Sequence, residues 1–493
     1  MKFISTRNAN VSVTASQAIV SGIADDGGLY VPSSFPIITL EEISKMQQMS
    51  YPERAAYVIG KYLDEFEVEE LLSYTTQAYS RFDGEPAPLS MVKEGVYALE
   101  LYHGPTLAFK DMALTLLPYL LTASKKKNGV DTKTLILVAT SGDTGKAAME
   151  GFKDVEGTEI IVLFPSGGVS RMQEAQMRTQ EGANEHASSI IGNFDDAQSA
   201  VKHIFNSTDA VAKIRECGYE LSSANSINWG RLVPQIVYYI SAYVDLVDSG
   251  VISLGEEVNY TVPTGNFGNI LACYYAKRMG LPVGKMVCAS NSNKVLTDFI
   301  TTGTYDISDR QFFKTESPSM DILISSNLER LIFELSGRDA SLTASRMQSL
   351  KDNKSYSISL DELTSLQDLM WAGWCDDEQA MDTIAEIEDE YDYPMDTHTA
   401  VAMSVSENYI STSGDDRPMV VVSTASPYKF PRAVYMAMTG EQIDDAFEAS
   451  EALYEYTAMD IPEQISALKT KPFVHTSVCE KDDILDKIIS FIS

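Results

Sequence analysis

The chain has 493 residues, 44% of them hydrophobic, and its 38 basic against 70 acidic side chains leave a net charge of -32. That length exceeds one simple core and predicts two or three structural units with a sizeable interior. So acidic a surface argues against nucleic acid and against an anionic membrane as partners, and any phosphorylated ligand must occupy a local exception to that field.

Five cysteines, at 217, 273, 288, 375 and 479, show no CxxC spacing and read as reduced thiols of a cytoplasmic protein. The opening MKFISTRNANVSV carries no apolar core of a secretory signal, and no run approaches eighteen apolar residues. Five histidines without HExxH or paired spacing predict no metal site.

In chain order, residues 1–78 read as a small, mainly helical lead-in unit. Its turn signal is ADDGGLYVP, where Asp25, Asp26, Gly27 and Gly28 supply the positive φ a tight turn needs. Apolar residues at helical spacing follow in LEEISKMQQM and YPERAAYVIGKYL.

Next comes HGPTLAFKD, residues 103–111, with Lys110 behind three apolar residues where a helix starts. A lysine normally favours the other end of a helix, so here dipole and desolvation both push the amine toward its neutral, nucleophilic form. The plainer alternative is a surface lysine beside Asp111. Pro118 is expected to kink the helix that follows.

Beyond it the pattern alternates. TLILVAT (134–140) and EIIVLFP (159–165) are strands, with SGDTGKAAMEGF and VSRMQEAQMRTQEG as helices after them. SGDTGKAA is not a Walker A loop, since Thr140 and Ala147 stand where Gly and Ser/Thr are required, and no GxGxxG occurs. It is either a structural turn or a strand-to-helix turn whose hydroxyls and amides suit a small carboxylate. NSINWGRLVPQ (225–235) is either a helix cap with a surface arginine or a phosphate clamp built from Ser226, Asn228 and Arg231. NYTVPT (259–264) is a strand, and TGNFGN after it is a turn or a phosphate cradle at a helix N-terminus. EIEDEYDY (386–393) lacks the EF-hand spacing and reads as a solvated helix end. MVVVST (419–424) is a late strand running into ASPYKF. Strands alternating with helices predict an α/β fold with parallel sheets flanked by helices, ligands gathering at the carboxyl ends of the strands.

Together, DDGGLYVP, HGPTLAFKDMAL, ATSGDTGKAA, NSINWGR, TGNFGN, THTAVA and STASPYKF resemble the threonine synthases, pyridoxal-phosphate lyases of fold type II. The match runs from Ser5–Arg7 to residues 423–430, nearly the whole chain and in order. The resemblance implies an N-terminal unit at 1–78, a catalytic α/β unit of two subdomains at 79–440 and a C-terminal helical segment at 441–493. It implies pyridoxal 5'-phosphate as cofactor and O-phospho-L-homoserine as the small-molecule substrate, converted with water to L-threonine and phosphate at the end of threonine biosynthesis. Lys110 would condense with the cofactor aldehyde and shuttle protons. Gly265, Asn266, Phe267, Gly268 and Asn269 would hold the cofactor phosphate, with Asp143 near the 3'-oxygen and Thr424 at the pyridine nitrogen. Thr140, Ser141 and Thr144 would take the substrate carboxylate, and Ser226, Asn228 and Arg231 its phosphate. The rivals within this fold, a dehydratase or a cysteine-synthase-like transferase, need no second phosphate clamp; from another class, a catalytically silent relative predicts a degraded lysine or glycine loop. Thr397 and Ser426 depart from the family pattern and leave the roles of His398 and Ser426 open, as the sequence leaves the choice between monomer and homodimer.

Overall fold

The computed structural model describes Met1 to Ser493 apart from Ser141 and Ser223, and without the side chains of Phe194 and Asp195. Its apolar runs form two mostly parallel sheets. The larger has the order Met370–Trp374, Val283–Ser290, Val258–Pro263, Met419–Ser423, Val96–Glu100, Leu89–Lys93, parallel except for the last, antiparallel edge strand. Every residue of Val258–Pro263 and of Met419–Ser423 is buried, as strands covered on both faces require. The smaller sheet, Ser477–Glu480, Glu185–Ile191, Thr158–Pro165, Lys133–Ala139, Tyr219–Ser222, is parallel throughout.

The N-terminal unit carries four helices, as expected, but also a three-stranded antiparallel sheet of Lys2–Ser5, Ser12–Thr14 and Tyr30–Pro32. Strands of three or four residues are too short for their alternation to show in the sequence. The last segment is likewise not all helical, because Ser477–Glu480 adds an edge strand to the smaller sheet. Pro118 does not kink a helix. The stretch after Lys110 breaks into Asp111–Leu114 and Leu117–Lys127, and Pro118 sits in the first turn of the second, where its missing N–H costs nothing.

The N-terminal unit is fastened to the long helix Trp229–Asp248. Buried Trp229 meets the rings of Phe3 and Tyr62 at centroid distances of 4.8 and 5.2 Å, and Arg54 pairs with Asp245 at 2.5 Å. Truncating so buried an aromatic costs about 3–5 kcal/mol. This packing fixes the start of the helix, which carries Asn228 and Arg231. Among the described residues no helix is long and apolar enough to cross a membrane, and all five cysteines are free thiols.

Candidate active site

Three neighbouring strands of the larger sheet, Val258–Pro263, Met419–Ser423 and Val96–Glu100, deliver the Gly265 loop, the Thr424–Lys429 stretch and the Lys110 loop from their carboxyl ends. The Lys110 loop is stitched down on both sides. Leu107 takes a left-handed φ of 61°, and its carbonyl accepts from the Ser426 N–H at 3.1 Å, while the Phe109 N–H donates to the Thr424 carbonyl at 2.8 Å. The buried Asp111 carboxyl accepts from the Thr106 N–H at 2.8 Å and its hydroxyl at 2.6 Å. Burial pushes that carboxyl up to about 6.

Lys110 therefore projects into a largely closed space, its side chain 11% exposed. Its Nζ stands 3.3 Å from the Ser319 hydroxyl and 3.7 Å from Oδ2 of Asp143. Desolvation lowers the pKa of this amine; Asp143 opposes the shift, and the positive charges of Lys429 and Arg231 reinforce it. Asp143 opens the helix Asp143–Phe152 and pairs with Lys429 at 2.9 Å. Burial would raise its carboxyl, but Lys429 and Lys110 together hold it well below the usual carboxylate range. Lys429 is entirely buried and also donates to the Thr106 carbonyl and to Oε1 of Gln176, both at 3.1 Å.

The Gly265 loop lies against the segment 315–327. A Cβ on Gly265 would sit 2.7 Å from the Ser319 carbonyl oxygen, so only glycine fits there. The Asn266 carbonyl accepts from the Asn327 N–H and side chain, both at 3.1 Å. Phe267, in the left-handed region at φ 64°, precedes the helix Gly268–Met279. Asn269 in its first turn accepts from the Tyr238 and Tyr239 hydroxyls at 2.5 and 2.6 Å, which leaves its Nδ2 buried without a hydrogen-bond partner among the described residues. Arg231 is the second such group. It is 4% exposed, donates from one terminal nitrogen to the Ala224 carbonyl at 2.7 Å, and has no acceptor for its Nε. Burial pulls its guanidinium down to about 10. Orphaned donors at a helix N-terminus and on a buried cation are what a phosphorylated ligand would satisfy. With an amine of lowered pKa nearby, the donor set fits pyridoxal phosphate.

Of the residues singled out in the sequence, Asp143 and Arg231 act on Lys110 itself, Gly265 packs against Ser319, whose hydroxyl faces Lys110, and Thr424 joins the Lys110 loop through its carbonyl, while Asn266 and Asn269 contact Asn327 and the Tyr238–Tyr239 pair. Ser141 lies outside the described residues. The Thr140 hydroxyl closes its own turn, accepting from the Gly142 and Gly145 N–H groups at 3.0 Å, and Thr144 stands half-buried in the first helical turn. Ser226 faces Asn327, whose amide donates to its carbonyl at 3.3 Å. Asn228 caps the Trp229–Asp248 helix through the Gly230 N–H at 2.8 Å and donates to the Ile19 carbonyl at 3.0 Å.

The sequence did not single out Lys429, Ser319 or Asp396, and it left the role of His398 open. His398 Nε2 accepts the Ser319 N–H at 3.0 Å, and its Nδ1 lies 2.6 Å from Asp396, so the ring proton resides on Nδ1. Glu329 ties Arg7 and Thr6 of the N-terminal unit to the same wall, at 2.6 and 2.5 Å. Among the described residues no group of three His, Cys, Asp or Glu side chains could hold a metal.

Three family descriptions match the chain: threonine synthase N terminus over residues 2–79, pyridoxal-phosphate-dependent enzyme over 86–425, and threonine synthase C-terminal over 399–492. Threonine synthase-like 1 of Homo sapiens is 38% identical over 471 residues, which cover 92% of this chain and 62% of that protein. The chain thus spans less than two thirds of the length of that relative. The threonine synthase of Schizosaccharomyces pombe is 34% identical over 99% of this chain and 98% of its own. The crystal structure of pyridoxal-phosphate-bound threonine synthase from Brucella melitensis superposes with a TM-score of 0.89 at 36% identity, covering 100% of this chain and 98% of that one. Sequence, fold and the lysine-centred cleft agree: the chain belongs to the threonine synthase family of pyridoxal-phosphate-dependent, fold type II enzymes.

Proposed function

We propose that the protein is a lyase converting O-phospho-L-homoserine and water to L-threonine and phosphate. One observation carries this reading. In a chain of net charge -32, Lys110, Lys429 and Arg231 come together beside Asp143, and the Arg231 Nε and the Asn269 Nδ2 are buried without a hydrogen-bond partner among the described residues. Buried donors left unpaired are costly unless an acceptor completes them, and the cofactor and substrate proposed here each bring a phosphate.

Lys110 would bind the cofactor aldehyde, the amides of Gly265–Asn269 with the free Nδ2 of Asn269 its phosphate, Asp143 its 3'-oxygen side and Thr424 its ring nitrogen. Once bound, pyridoxal phosphate supplies an electron sink for charge developing beside the substrate amino group. The chain supplies the rest. Thr140, Ser141 and Thr144 orient the substrate carboxylate. Lys110, held with a lowered pKa, accepts the α-proton and then a β-proton. Arg231, with Ser226 and Asn228 beside it, stabilises the charge that grows on the departing phosphate. Lys110 then returns one proton to Cγ and one to Cα, water adds its hydroxyl at Cβ, and the remaining proton of that water leaves on the phosphate. The units 1–78, 79–440 and 441–493 and a reducing, cytoplasmic setting, to which five free thiols are suited, belong to the same reading.

The test is phosphate release from O-phospho-L-homoserine, with threonine identified as the product and Lys110→Ala as control. Threonine and phosphate in equal amounts are expected. Deamination of threonine with no turnover of phosphohomoserine would instead identify a dehydratase.

A further inference from the structure

Asp143 lies between two lysines and holds them unequally. Lys429 meets it at 2.9 Å, has no exposure to solvent, and is anchored by Thr106 and Gln176. Lys110 stands at 3.7 Å and keeps the Ser319 hydroxyl within reach. One carboxylate neutralises one ammonium, and the closer, better anchored lysine has it. We propose that Lys429 is a positioning residue that occupies Asp143 and so leaves Lys110 free to shed its proton as the reactive amine.

The alternative arrangement shows why this matters. Without Lys429, a buried Asp143 would have Lys110 as its nearest cation, and an ionised pair in a low-dielectric space holds its proton tightly. Lys429 acts twice in the opposite sense, by taking up the carboxylate and by repelling a second ammonium. The other groups facing Lys110 do not replace it. Arg231 across the cleft adds positive charge, Asp111 is taken up by Thr106, and His398 receives the Ser319 N–H at Nε2 while its Nδ1 faces Asp396.

The inference rests on Lys110 being the cofactor-binding amine, and one experiment separates the two statements. The full-length protein, freed of carbonyl cofactor, is labelled with limiting acetic anhydride across a pH series, and acetylation of Lys110 is read by peptide mass spectrometry. In Lys429→Met the labelling midpoint of Lys110 should rise by about one pH unit, a tenfold loss of neutral amine at fixed pH, while Lys429→Arg stays near the parent. An unchanged or lowered midpoint in Lys429→Met overturns the proposal. Should that variant not fold, Lys429→Gln carries the test. It keeps a hydrogen-bonding side chain toward Thr106 and Gln176 and removes the charge, so the midpoint should again rise, and an unchanged or lowered midpoint is equally fatal. Added pyridoxal phosphate should protect Lys110 from label. Loss of that protection alone would refute the role of Lys110 and leave its coupling to Lys429 standing.

Discussion

Two charge clusters share the Asp143–Phe152 helix. At its N-terminus one carboxylate, Asp143, faces Lys429 and Lys110, with Arg231 close enough to influence Lys110. One turn later Lys146 pairs with Glu150 at 3.1 Å and lies in the field of Glu185, while Arg81 meets Glu150 at 2.5 Å. In the second cluster burial pushes the Glu185 carboxyl up to about 8, so at neutral pH it keeps its proton and leaves Glu150 as the acid that faces both Lys146 and Arg81. In the first the acid is driven the other way, well below the usual carboxylate range. Both clusters hold buried cations, but Lys146 and Arg81 each have Glu150 as partner whereas the Arg231 Nε has none among the described residues, and an anion would complete it.

The largest expected effect falls on the cluster around Lys110. Lys110→Ala should lower kcat for phosphohomoserine by about 10³-fold, the range for losing a positioned proton carrier, as read by phosphate release. Next comes Glu185→Gln. A carboxyl that titrates near 8 when folded and near the ordinary 4.5 when unfolded binds more protons in the native state. Wild-type stability therefore falls as pH rises from about 4.5 to 8 and is flat beyond, where the cost of the buried charge is fully expressed. The glutamine variant should match wild type near pH 4 and exceed it by about 3 kcal/mol near pH 8.5, as denaturant unfolding would show; equal pH slopes would break the contrast between the clusters. Arg231→Lys keeps the charge but loses the fork, and should raise KM about tenfold with the melting temperature little changed. The smallest effect is assigned to Arg81→Met, since that pair is partly exposed. A loss below about 1 kcal/mol is expected, with kcat/KM retained.

Much of this arrangement is legible in the sequence, for physical reasons that also mark where legibility ends. Lys110 stands out because the lysine, its apolar approach and the helix start lie within a few residues, and so does the glycine loop before Gly268–Met279. The buried runs Lys133–Ala139, Thr158–Pro165 and Met419–Ser423 announce their strands by composition alone. Lys429 carries no such local mark. It follows Pro427 and Tyr428 in the ASPYKF stretch after a late strand, and its meaning comes from Asp143, nearly three hundred residues earlier. Ser319 reaches Lys110 across 209 residues, and His398 acts through the backbone of Ser319. Asn228 was legible both as a cap and as a phosphate ligand, and the helix it caps exists because Trp229 packs on Phe3 and Tyr62. The strand Ser477–Glu480 alternates half-buried and exposed residues and is defined by its partner Glu185–Ile191, not by its own pattern.

Everything turns on which amine carries the cofactor. Borohydride reduction of the holoenzyme followed by peptide mapping fixes the pyridoxyl group where it is attached. A single pyridoxyl mass on the peptide containing Lys110, with Lys429 and Lys146 unmodified, is the expected result. The same mass on either of those lysines, or on none, would contradict the assignment of Lys110.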